Sequence, residues 1–129
     1  MERIFVYGTL KQRFSNHSAF LIGQKFLGTG CTRRKFSLYQ TGSLPFLVDI
    51  PVSPIGGEIY EVDNKCLENI DQLEGHPDWY KRKKILVCIP STGKCVECWT
   101  YFVSSIPQNS ILIKTGNYNP YPLEVLRWK

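Results

Sequence analysis

Residues 56–82 read GGEIYEVDNKCLENIDQLEGHPDWYKR, and their pattern sets the architecture. From Gly56 to Asp63 the side chains alternate as in a strand, with Ile59 and Glu61 on one side and Glu58, Tyr60 and Val62 on the other. Asp63 then stands where a helix N-cap is expected, and Leu67, Ile70 and Glu74 follow at i, i+3 and i+7. A strand therefore feeds a capped helix whose inward stripe ends in an acid. Gly75 and Pro77 stop the helix, which puts Glu74 at its negative end. Burial and that dipole both raise a carboxyl pKa, and a glutamate tuned toward neutrality can accept and return a proton. A frayed last turn would instead leave Glu74 in solvent, where most glutamates are found.

Downstream, Tyr80 to Ile89 alternates cleanly. Ile85, Val87 and Ile89 share one face, and Arg82, Lys84, Leu86 and Cys88 share the other. Pro90-Ser91-Thr92-Gly93-Lys94 reads as a hairpin loop, with Cys95 to Val103 returning as its partner strand. Beyond Ser104 the pattern weakens to one apolar run, Ile111 to Ile113, and a tail from Tyr118 to Pro122 expected to pack irregularly through its aromatics.

Upstream, Arg3 to Tyr7 reads as a first strand ending at Gly8-Thr9. Ser15 or Asn16 is placed to cap a short helix carrying Ala19 to Ile22 and ended by Gly23. Phe26 to Thr32 and Lys35 to Gln40 read as strands, with Arg33-Arg34-Lys35 between them as a charged surface run. Leu44 to Val48, enclosed by Gly42, Pro45, Pro51 and Pro54, reads as a loop or edge strand. Because most strands are followed by strands, the expected class is α+β: one domain over residues 1–129, a small mixed, mostly antiparallel β-barrel with one or two packed helices.

The chain of 129 residues carries 16 Lys and Arg against 11 Asp and Glu, a net charge of +5. That excess favours anions weakly and predicts no specific nucleic-acid partner. Met1-Glu2-Arg3 leads straight into Ile4-Phe5-Val6-Tyr7, so neither a signal peptide nor a membrane span is expected, and the reading is cytoplasmic. The five cysteines make an odd count, with Cys31, Cys66 and Cys88 scattered singly, which argues against a disulfide framework and suits a reducing compartment. Cys95-Val96-Glu97-Cys98 is a CxxC, but on a strand residues three apart face opposite sides and cannot close on one metal. His17 and His76 are the only histidines, and Ser43 sits in no nucleophile-elbow pattern, so neither a metal centre nor a hydrolase triad is expected.

Tyr7-Gly8-Thr9-Leu10 offers a different chemistry. A strand that ends at glycine leaves backbone N–H groups without ladder partners, and successive N–H groups can cradle a carboxylate or phosphate. A plain turn leaving the strand is the alternative.

Taken together, Phe5-Val6-Tyr7-Gly8-Thr9-Leu10-Lys11, Asn16-His17, Gly57 to Asp63, Leu73-Glu74-Gly75-His76-Pro77, Tyr80-Lys81-Arg82 and Tyr118-Asn119-Pro120 resemble the gamma-glutamylcyclotransferase fold family, and within it the gamma-glutamylamine cyclotransferases. A family glycine after the loop is Arg13 here, and Cys31 to Pro54 aligns with no family motif. The resemblance implies Glu74 as catalytic acid/base and Tyr7, Gly8, Thr9 and Leu10 as the loop that holds the substrate α-carboxylate. It implies a cofactor-free reaction of lyase or acyl-transfer type, needing no metal, on a small γ-glutamyl substrate. The substrate's own α-amine attacks the γ-carbonyl, forming 5-oxoproline and releasing an amine, so the enzyme supplies no nucleophile and one glutamate can move both protons. The alternative is a non-catalytic small-molecule-binding module of the same fold.

Overall fold

A computed structural model describes residues 1–8, 10–11, 20–42 and 44–118. Thr9, most of the short helix expected after Ser15 or Asn16, the Asn16-His17 pair, Arg13 and the tail beyond Tyr118 lie outside the described residues. Eight strands and one helix are described: β1 (Glu2–Val6), β2 (Lys25–Thr32), β3 (Phe36–Thr41), β4 (Leu44–Ser53), β5 (Gly56–Val62), α1 (Asn64–Glu74), β6 (Lys81–Ile89), β7 (Lys94–Phe102) and β8 (Ile111–Leu112).

Strands β1-β5-β2-β6-β7 close into a barrel, and β4-β3-β8 form a separate three-stranded sheet. Pairing is antiparallel except where β1 meets β7, a parallel contact that closes the barrel at Ile4↔Trp99. Where that ladder is thin a side chain helps, as Thr100 Oγ1 donates to the Phe5 carbonyl at 3.0 Å within the core. The expected mostly antiparallel barrel is thus present, with a second sheet added to it.

Strands β1 and β5 of the barrel bury residues on both faces. Phe5, Ile59, Val87, Ile89 and Cys98 join Phe36, Leu38 and Leu47 of the second sheet in one apolar cluster. Ile4, Val6, Tyr60 and Val62 face the other way, onto Cys66, Leu67 and Ile70 of α1. Helix α1 owes its position to that apolar stripe, because a helix of this length gains most of its stability from packing.

Of the two readings of Leu44 to Val48, loop or edge strand, the structure gives the edge strand: it is the first half of β4, which runs on to Ser53 through Pro45 and Pro51. It tolerates prolines because it is an edge strand paired on one side only, with β3. The odd cysteine count, which argues against a disulfide framework, gave no sign of the single bond that joins Cys88 and Cys95, S–S 2.05 Å. The hairpin register sets these residues directly opposite one another, which spacing along the chain does not reveal. The face argument for the CxxC does hold: Cys98 is buried in the core and Cys95 is exposed. Among the described residues, no helix is long and apolar enough to cross a membrane.

Candidate active site

The Asp63 side chain accepts from the Cys66 N–H at 2.7 Å, so the N-cap forms as its position predicts. At the other end Gly75 takes the left-handed conformation, φ 68°, which any side chain would resist. Its N–H donates to Gln72 O at 3.2 Å and the His76 N–H to Asp71 O at 2.9 Å, closing a Schellman cap. The chain then folds back, with the Tyr80 N–H donating to Glu74 O at 3.3 Å. Glu74 is therefore held on the last turn of α1, with Tyr80 brought beside it.

Glu74 lines a cavity of about 130 Å³ together with Tyr7, Gly8 and Leu10. The structure thus brings together every described residue of the sequence-predicted site; Thr9 is outside the described residues. Burial alone raises the Glu74 carboxyl from its ordinary 4.5 to about 7.

Three tyrosines surround this carboxyl, and each phenol is pushed up, first by burial and also by the charge of Glu74. Each hydroxyl is committed to another acceptor. Tyr7 donates to Tyr101 O at 2.8 Å, Tyr80 to Pro45 O at 2.7 Å and Tyr101 to Asp71 Oδ1 at 2.5 Å. The rings wall the site while the hydroxyls brace β1, β4, β7 and α1 against one another. Phe46 stacks on Tyr80 with centroids 5.9 Å apart, adding a second aromatic layer.

The rim is apolar and open. Trp79 is 74 % exposed, Leu44 53 % and Leu73 39 %, and all three line the cavity. Gly8 lies under Pro45, where an added Cβ would come 2.6 Å from Pro45 Cγ. Sequence reasoning gave no site role to Tyr80, Tyr101, Phe46 or the rim residues. Leu73 and Trp79 flank Glu74 closely enough in sequence to have suggested it, whereas Tyr101 and Phe46 reach the cavity only through sheet topology.

Glu74, half-buried on the last turn of α1 with its carboxyl raised to about 7, thus shares one small cavity with the glycine turn that follows β1. Residues 4–120 match the family described as Gamma-glutamyl cyclotransferase, AIG2-like, and the chain belongs to that family. A Methanocaldococcus jannaschii protein provisionally named a gamma-glutamylcyclotransferase is 45% identical over 123 residues, covering 94% of this chain and 98% of its own length. The gamma-glutamylaminecyclotransferase of Rattus norvegicus is 36% identical over 115 residues, covering 78% and 77% of the two chains. The crystal structure of a Mus musculus AIG2-like protein superimposes with TM-score 0.82 at 32% identity, over 92% of this chain and 88% of that one.

Proposed function

We propose that this chain converts γ-glutamyl amines to 5-oxoproline and free amine, with Glu74 as the proton shuttle. The observation that carries this reading is the Glu74 carboxyl, raised to about 7 in the cavity that Tyr7, Gly8 and Leu10 also line. In the proposed reaction the turn from Tyr7 to Leu10, with Thr9, holds the substrate α-carboxylate, and the cavity folds the γ-glutamyl chain so that its amine approaches the γ-carbonyl. Glu74 takes a proton from the α-ammonium; the C–N bond of the ring forms, that proton passes to the departing amine as the amide bond breaks, and the ring nitrogen's remaining extra proton follows through Glu74 to the freed amine, which leaves as an ammonium. Proton donor and acceptor are both parts of the substrate, so a single carboxyl completes the cycle.

The apolar rim of Leu44, Leu73 and Trp79 supports an amine over an amino acid as the leaving group, since a second carboxylate gains nothing from such a surface. The name of the rat relative points the same way. γ-Glutamyl amino acids are the other donor class of this chemistry. The test is 5-oxoproline release from a panel of γ-glutamyl amines and γ-glutamyl amino acids. Turnover of amines, lost in Glu74→Gln, is the expected result; a variant that keeps most of its activity overturns the role of Glu74. Ligand-induced stabilisation without turnover would make the chain a binding module instead.

A further inference from the structure

The barrel wall carries three cysteines in one row. Cys31 on β2 is the register partner of Cys88 on β6, and Cys88 is the partner of Cys95 on β7. Their neighbours fix the direction: Thr32, Val87 and Cys98 are buried, so Cys31, Cys88 and Cys95 share the opposite, outer side. Cys88 and Cys95 are joined, and Cys31 keeps a free thiol. The Arg33 N–H donates to Leu86 O at 3.0 Å, two residues further along both strands, which makes Cys31 and Cys88 a hydrogen-bonded pair. The Cα atoms of such a pair lie roughly 5.5 Å apart, within the range of about 4.4–6.8 Å that a disulfide spans. Cys31 also borders an open cleft of about 520 Å³, and Cys95 is exposed, so solvent reaches the row.

We propose that Cys31, Cys88 and Cys95 form a thiol–disulfide exchange site, separate from the Glu74 cavity, in which the crosslink moves between the β6–β7 hairpin and the β2–β6 seam. Cys31, as thiolate, attacks Sγ of Cys88. The Cys31–Cys88 bond forms as the Cys88–Cys95 bond breaks, and Cys95 leaves as a thiolate that takes up a proton in place of the one Cys31 released. One disulfide and one thiol stand on each side of the reaction, so no oxidant or reductant is consumed.

The two positions of the bond hold different things. The hairpin is already paired from Lys81↔Phe102 to Ile89↔Lys94, whereas the β2–β6 ladder runs only over Cys31↔Cys88 and Thr32↔Val87, extended by the Arg33–Leu86 bond. In the hairpin the bond spans a sequence separation of 7; on the seam it closes a far longer loop and staples the shorter ladder. Exchange therefore converts a crosslink of small consequence into one that fastens the barrel.

The test is non-reducing peptide mapping of the whole chain after incubation at pH ~8, where thiolates form, followed by acid quench and alkylation. Two isomers are expected from one preparation: Cys88–Cys95 with Cys31 alkylated, and Cys31–Cys88 with Cys95 alkylated. Cys95→Ser treated with a small-molecule disulfide as oxidant is expected to crosslink Cys31 to Cys88 and to melt about 5 °C above its reduced form. Cys31→Ser, which keeps only the hairpin bond, is expected to gain less on oxidation. Wild type that yields Cys88–Cys95 alone, together with Cys95→Ser that stays uncrosslinked while folded, overturns the exchange.

Discussion

Asp71 Oδ1 accepts a hydrogen bond of 2.5 Å from the Tyr101 hydroxyl, which ties the last turn of α1 to β7 three residues before Glu74. Arg82 Nε completes the clamp, 3.0 Å and 3.2 Å from the two Asp71 oxygens, while its guanidinium lies over Trp99, 4.2 Å from the ring centre. Asp71 and Arg82 are largely shielded, with side-chain exposures of 17% and 22%, so the pair is worth more than a surface ion pair. Asp71→Ala strands both a guanidinium and a hydroxyl and is expected to cost about 2–3 kcal/mol in urea unfolding. Tyr101→Phe leaves Asp71 with Arg82 and is expected to cost about 1 kcal/mol. Equal costs would show that the clamp does not work as drawn.

Glu74→Gln separates chemistry from stability. It is expected to lower 5-oxoproline formation by roughly 10²–10⁴-fold, the range for loss of a positioned acid/base. Far-UV circular dichroism should remain that of the parent.

The pH dependence follows from the raised carboxyl. Shuttling begins with the carboxylate, so kcat/KM is expected to rise through an acid limb centred on about 7. A limb centred at its ordinary 4.5 would mean that the cavity does not tune it.

Stability moves in the opposite sense. Below 4.5 the carboxyl is protonated in folded and unfolded chains alike; between there and about 7 only the folded chain keeps the proton, so stability falls as pH rises. The fall is at most about 3 kcal/mol, since Glu74 retains some solvent contact. Glu74→Gln should be indistinguishable from wild type near pH ~4 and more stable above pH ~7, measured by thermal unfolding across the range.

Much of this site was legible in the order of residues. The cap at Asp63, the stop at Gly75 and the 3.6-residue period placed Glu74 inward, and period-two alternation found the β6–β7 hairpin. These are local signals, carried by neighbours in sequence. What was missed is long-range. Tyr101 and Phe46 reach the cavity through barrel closure and the second sheet, and the Cys88–Cys95 bond depends on a cross-strand register. The prolines of β4 left loop and edge strand both open for a physical reason: they break central strands, but an edge strand has N–H groups that need no partner.

Gly8 should not accept a side chain. Pro45 sits 2.6 Å from where a Cβ would stand, and Pro45 is itself pinned because its carbonyl accepts from Tyr80. Gly8→Ala is expected to cost about 1–3 kcal/mol by overpacking and to raise KM as the turn is displaced. An unchanged KM would remove Gly8 from the binding turn.

Trp79, 74 % exposed, offers the converse case. Trp79→Ala is expected to leave the melting temperature within about 1–2 °C, as surface substitutions usually do. For γ-glutamyl donors with an apolar amine it should raise KM several-fold, leaving kcat and donors with a small polar amine little changed. A uniform loss across donors would argue against rim recognition.

The bond from the Tyr7 hydroxyl to Tyr101 O spans a sequence separation of 94, and β1, the strand that leads into Tyr7, is the one that closes the barrel. The cavity therefore cannot be assembled by any early fragment of the chain. Until β7 has been made, Glu74 has no opposite wall, and α1 lacks part of the packing that stabilises it. Chains truncated before β7 should therefore carry no activity.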